Sequence, residues 1–165
     1  MAEMSRPEAL AMLQNSLEER QTRDDTSTGD LLDFLADLPL AIKQASAYMA
    51  KTESTAAQYL AYCRSSDKST VDLLSNEFED RTRYENLRNP IATTWLVSFE
   101  HISRDNPLAA QYLRFMCFLA EKAIPKSLLP TDDEMAADEA IGTLRGYAFI
   151  NEQGKPGLFD MHRLV

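Results

Sequence analysis

A proline set inside an apolar run constrains this chain more than any other feature. From Leu31 to Ala50 the sequence reads LLDFLADLPLAIKQASAYMA. Proline lacks an N–H and fixes φ at about −65°, so it suits the first turn of a helix and damages the middle of one. The run therefore predicts two helices, one ending near Asp37 and the next beginning at Leu38-Pro39. The connector aims the backbone of Leu38, Pro39 and Leu40 at whatever lies beside it. Beyond it, Leu40, Ile42, Ala45, Ala47, Tyr48 and Met49 leave little polar face, which predicts burial of the second helix to about Lys51. By itself such a corner is an ordinary helix–helix turn inside a bundle.

The text around this corner extends the bundle. Ser5-Arg6-Pro7-Glu8 has the form of a capping box, with a hydroxyl at the N-cap, proline near the start and glutamate three residues on. Ala9, Leu10, Met12, Leu13 and Leu17 follow at helical spacing. Gln21 to Gly29 is polar and aperiodic and reads as a loop, with Thr28 as the cap of a helix over 30–37. Thr55 to Gln58 forms a second capping box, and Ala57, Leu60 and Ala61 mark one face of its helix, with Tyr59 and Cys63 close by. A short helix is predicted over 69–78. Glu79 to Asn89 (EDRTRYENLRN) is charged and poor in apolar residues. It ends before Pro90, which biases Asn89 away from helix. This run is the predicted boundary. Arg81, Arg83 and Arg88 are available to a phosphate, but mixed charge of this kind reads first as a solvated linker.

After Pro90 the texture changes. Ile91 to Ser103 predicts a helix with Trp95, Leu96, Phe99 and Ile102 inward. Asp105-Asn106-Pro107 caps a strongly apolar helix over 108–119, containing Leu113, Phe115, Met116, Phe118 and Leu119. Ala123-Ile124-Pro125 is a break. A third helix begins at Thr131 or Asp132 and runs to about Tyr147, with Met135, Ala136, Ala140, Ile141 and Leu144 inward. Then 147–151 (YAFIN) and 158–161 (LFDM) predict two strands joined by a Gly/Pro turn over 152–157. Three helices followed by a hairpin is the order of a winged-helix domain. The predicted fold is mainly α: a small helical bundle over residues 1–89, then a winged-helix domain with a C-terminal β-hairpin over 90–165.

Composition narrows the functions. An apolar fraction of 44% permits a buried core, and scarce glycine favours helix. A formal charge of −9 opposes binding to phosphate backbones, so no nucleic-acid partner is expected. No run reaches the roughly 18 apolar residues of a membrane span. Cys63 and Cys117 both sit in apolar helical text. Without a secretory signal they read as reduced, buried thiols of an intracellular, cytoplasmic protein. No spacing of histidines and cysteines fits a metal, and no Ser/His/acid arrangement fits a triad, so no catalytic or metal residue is assigned. A P-loop needs G-x-x-x-x-G-K-[ST]. The only Gly-Lys is Gly154-Lys155, followed by Pro156 in the predicted turn. His101 stands near a helix C-terminus, where a cation is favourable, and carries no assigned function.

Two segments carry a family resemblance. LLDFLADLPLAIKQASAYM resembles the GLPLA segment of NB-ARC domains, the nucleotide switches of the STAND class. Phe159 to Val165 (FDMHRLV) resembles the MHD motif of their winged-helix part. Their order, together with NPIATTWLVSF from Asn89 and IPKSLL from Ile124, extends the likeness over nearly the whole chain. It is nearest to the fungal type that carries TPR repeats. The resemblance implies that Pro39, with Leu38, packs against the adenine or ribose of ADP or ATP. It implies that His162 reaches the β-phosphate of ADP. Arg163 stands where the motif has Asp, which removes a carboxylate contact at that position. The other reading of His162, preferred for this chain taken without a P-loop, is a partly exposed histidine at a strand end.

The resemblance further implies a P-loop domain in the same protein, N-terminal to Met1, and a C-terminal TPR-type sensor. It implies homo-oligomerisation on exchange of ADP for ATP. The chain ends within an apolar run at Leu164-Val165 and is read as a non-catalytic portion of a larger protein, with no nucleotide expected on the isolated chain. Two other functions fit the residues less well. One is a helical interaction adaptor with no nucleotide. The other is a winged-helix DNA-binding regulator, opposed by Asp132, Asp133, Glu134, Asp138 and Glu139 on the helix that would enter the groove.

Overall fold

The computed structural model describes residues 4–65, 85–154 and 156–161. The chain divides into two compact units, Met1–Ser98 and Phe99–Val165. The division falls within a helix, beyond the Asn89-Pro90 step at which the sequence changes texture.

The first unit holds α1 (Arg6–Asn15), α2 (Asp25–Phe34), α3 (Pro39–Thr52), α4 (Ala56–Ser65) and the first part of α5 (Glu85–Asp105). Both capping boxes predicted from sequence are present. The Glu8 carboxylate accepts from the Ser5 backbone N–H at 2.9 Å. Gln58 accepts from the Thr55 N–H at 2.9 Å while its own N–H donates to the Thr55 hydroxyl at 3.3 Å. These bonds satisfy donors that a helix start leaves orphaned. The packing pairs α1 with α2 and α3, α2 with α4, and α3 with α4. Its core includes Leu13, Leu31, Leu35, Ile42, Met49 and Tyr59, none of them exposed to solvent.

Several expectations for this unit are corrected. Helix α2 begins at Asp25, inside the stretch read as a loop, because the Asp24 side chain caps it by accepting from the Thr26 N–H at 3.2 Å. Thr28 is not a cap. It is buried within the helix and donates to the Thr22 carbonyl at 3.2 Å. On α4 the buried face is Ala56, Tyr59, Leu60 and Cys63, whereas Ala57 and Ala61 are exposed. Helix α5 starts before Pro90 and carries it in its interior. Pro90 forgoes one backbone bond, and tertiary burial of Ala92, Thr93, Thr94 and Leu96 outweighs that local preference. The predicted helix over 69–78 and the charged stretch at 79–84 lie outside the described residues.

The second unit continues α5 and adds α6 (Pro107–Met116), α7 (Glu134–Gly146) and a three-stranded antiparallel sheet. The strands are β1 (Ile124–Pro125), β2 (Ile150–Glu152) and β3 (Leu158–Met161), in the order β1-β3-β2. Ile150 faces Met161 and Glu152 faces Phe159 in the hairpin, and Ile124 faces Phe159 on the other edge. Asn106 caps α6 through the Ala109 N–H at 3.0 Å, and Asp133 caps α7 through Met135 and Ala136. Helix α7 packs on α6 and on β2 around Ile102, Leu113, Leu144 and Phe149.

The break expected at Ala123-Ile124-Pro125 is instead an edge strand, which proline tolerates. The Ala123 N–H donates to the Asp160 carboxylate at 2.8 Å, and the Met161 N–H to the Glu121 carbonyl at 2.8 Å. Tyr147 is the C-cap of α7 and Ala148, at φ 59°, lies in the turn that follows, rather than in a strand. Phe115, within α6, faces outward at 38% exposure, and Phe118, in the tighter turns after Met116, is 89% exposed. Met135 also points outward, at 80% exposure, and Ala137 takes the inward position. The fold is therefore mainly helical with a small antiparallel sheet near its C-terminus. Among the described residues no helix is long and apolar enough to cross a membrane.

Candidate functional site

The site built at the proline corner belongs wholly to the first unit. Helix α2 ends at Phe34, and Leu35 still bonds back to the Leu31 carbonyl at 2.9 Å. The chain then turns through Ala36 and Asp37, both in the left-handed region at φ 51°. The Asp37 N–H returns to the Leu32 carbonyl at 3.3 Å and the Leu38 N–H to the Leu35 carbonyl at 3.1 Å. Leu38 is extended, at φ −77° and ψ 122°, and its carbonyl accepts the first bond of α3 from Ile42 at 2.9 Å. Proline at the first helical position then locks the direction of α3, as the sequence predicts.

The corner has an apolar underside and an open top. Leu32, Leu35, Ala41 and Ile42 are buried beneath it. Pro39 is exposed, and Leu38 and Leu40 are half-buried. No side chain caps α3, because leucine at the N-cap supplies no oxygen. The first turn of α3 thus offers backbone donors and the positive end of a helix dipole beside an exposed pyrrolidine ring. Such a surface can hold a ligand by shape and backbone contact.

Side chains from α1, α2 and the turn itself frame it. The Arg6 guanidinium pairs with Asp33 and lies 3.2 Å from Asp37 Oδ1. At the other end of α3, Gln21 is buried, and its amide donates to the Met49 carbonyl at 2.7 Å and the Ser54 carbonyl at 2.9 Å. Inside the unit, Thr94 Oγ1 of α5 lies 3.0 Å from Gln44 Oε1 of α3. None of these partners was legible in the sequence. Arg6 and Asp37 are far apart in the chain, and Gln21 sits in text that reads as a polar loop.

His162 lies outside the described residues, as does Arg163; β3 ends just before it at Met161. Arg81 and Arg83 also lie outside them. His101 has structural partners in the second unit: its Nδ1 is 3.0 Å from the Tyr147 hydroxyl and 3.2 Å from Asp105 Oδ2. The two cysteines differ, contrary to the expectation that both are buried. Cys63 is buried, and desolvation pushes its thiol up to about 12. Cys117 is exposed beyond the end of α6, with partial desolvation raising its thiol. Among the described residues no group of His, Cys, Asp and Glu is placed to hold a metal ion.

The chain is similar to a protein of Hyaloscypha variabilis named nucleotide-binding leucine-rich repeat (NLR)-like protein. The two are 43% identical over 169 residues, which covers 99% of this chain. The chain spans 17% of that relative's length. No family model and no solved structure matches the chain.

Proposed function

We propose that this chain is a non-catalytic regulatory portion of an NLR-type nucleotide switch. Its helical unit and its C-terminal unit, read as a winged helix, close over ADP or ATP held by a P-loop domain elsewhere in the same protein. Leu38 and Pro39 contact the adenine or ribose, and His162 contacts the β-phosphate. Exchange of ADP for ATP releases the closed state and permits homo-oligomerisation, with a repeat-type sensor setting the trigger. One observation carries the reading. Pro39 stands exposed on an uncapped helix start, in a chain matched over nearly all its length by a protein named nucleotide-binding. Phosphate chemistry itself must come from the P-loop domain, since a helix start and an imidazole offer donors but no phosphate cradle.

Duplex DNA is disfavoured by the second unit's own charges. Helix α7 begins among Asp132, Asp133 and Glu134 and continues through Asp138 and Glu139. Its one arginine, Arg145, is paired with Glu152 at 2.9 Å, and Lys126 is paired with Glu134 and Asp138. Calorimetric titration with ADP separates the readings. It is run on this chain and on a longer protein in which a P-loop domain precedes it. Binding by the longer protein alone, weakened by His162→Ala, is the expected result. A folded longer protein that binds no nucleotide would leave an interaction adaptor as the better description.

A further inference from the structure

The corner that presents Pro39 is held in a conformation its own residues resist. Left-handed backbone is costly for residues with a Cβ, less so for Asp and Asn, and two in succession without glycine are rare outside places where surrounding structure enforces them. Ala36 and Asp37 are such a pair, both at φ 51°. Main-chain bonds close the turn, 3.3 Å for the Asp37 N–H and 3.1 Å for the Leu38 N–H. A further restraint comes from α1. Arg6 sits in the first turn of that helix, whose start is fixed by the Ser5–Glu8 bond and whose Ala9 and Leu13 are wholly buried. Its planar fork reaches Asp33 in the last turn of α2 with one nitrogen and Asp37 Oδ1 with the other, at 3.2 Å. Asp37 Oδ1 is shut off from solvent and receives no directed hydrogen bond. The guanidinium is the charge that compensates it.

We propose that Arg6 is a positioning residue. It ties the end of α2 to the strained Asp37, keeps Ala36-Asp37 left-handed and so aims Leu38-Pro39. Loss of this clamp lets the turn relax while α1 and α3 stay folded. The corner's use in a switch rests on the function proposed above; the clamp does not.

Amide hydrogen exchange of this chain, read by NMR at Asp37, Leu38 and the interior of α3, tests it. Arg6→Gln is expected to speed exchange at Asp37 and Leu38 about five-fold, the scale of a partly exposed ion pair. Ala45 and Met49 within α3 should stay unchanged. Arg6→Lys, which keeps the charge but loses the fork, should fall between. Asp37→Asn keeps the shape and the tolerance of left-handed backbone. It should reproduce the Arg6→Gln effect, which guards against a variant that simply unfolds. Unchanged exchange at Asp37 and Leu38, or an equal rise throughout α1 and α3, would overturn the clamp. In the longer protein Arg6→Gln should also weaken ADP binding. Faster exchange with undiminished ADP affinity would overturn the nucleotide role of the corner and leave the clamp standing.

Discussion

Replacing Gln21 with methionine should destabilise the first unit by about 2–6 kcal/mol. Gln21 is only 4% exposed, and both amide protons are spent on main-chain carbonyls, Met49 at 2.7 Å and Ser54 at 2.9 Å. Its Oε1 accepts from the Glu18 N–H at 3.1 Å. Met49 lies in the last turns of α3, where carbonyls lack intrahelical donors. Methionine has nearly the same length and would fill the space without donating. Each buried carbonyl left without a partner costs about 1–3 kcal/mol, so the two together cost about 2–6 kcal/mol. The chain's one tryptophan, Trp95, belongs to the first unit, so its fluorescence during urea unfolding reports on that unit. With a slope near 2 kcal/mol per molar urea, the midpoint should fall by about 1–3 M at unchanged slope. A fall below about 0.3 M would refute the assignment of Gln21 as the polar seal of α3.

Other outcomes follow from single observations. Glu53 follows α3 at φ 55°, so Glu53→Gly should raise stability by about 0.5–1 kcal/mol in the same urea assay, despite loss of its exposed pair with Arg20. The Ala123 N–H and the Gln153 side chain hold the Asp160 carboxyl below its ordinary range. A depressed folded-state pKa stabilises above the unfolded value and fades as pH falls through the folded one. The Ala123 amide should therefore lose exchange protection below about pH 4, and Asp160→Asn should remove that dependence. In the native protein Cys117 should react with a thiol reagent well before Cys63, whose buried thiol is held up to about 12; simultaneous loss of both thiols would contradict the packing of α4. Thr55→Ala should cost about 1 kcal/mol through loss of the α4 cap, measured by the urea midpoint.

The parts of the fold legible in the sequence are those that local chemistry determines. Pro39, the Thr55–Gln58 box, Asn106-Pro107 and the turn before Leu158 each act within a few residues, and each is found where the pattern places it. The illegible parts depend on partners far along the chain. Asp25 starts a helix because Asp24 caps it and Thr28 can be buried, although the stretch is polar. Ile124-Pro125 becomes a strand only because β3 arrives beside it. Pro90 stays helical because its surroundings are packed. The same division applies to the candidate site. The exposed Pro39 was visible as a proline at a helix start, whereas the Arg6 fork and the left-handed Ala36-Asp37 pair required the fold.

The most direct test of the account is photo-crosslinking of an azido-adenine nucleotide to the longer protein, followed by mass spectrometric mapping of the labelled peptides. The account predicts label on the peptide containing Leu38, Pro39 and Leu40, removed by competing ADP. Label confined to other segments, with the Pro39 peptide untouched at saturating nucleotide, would contradict it.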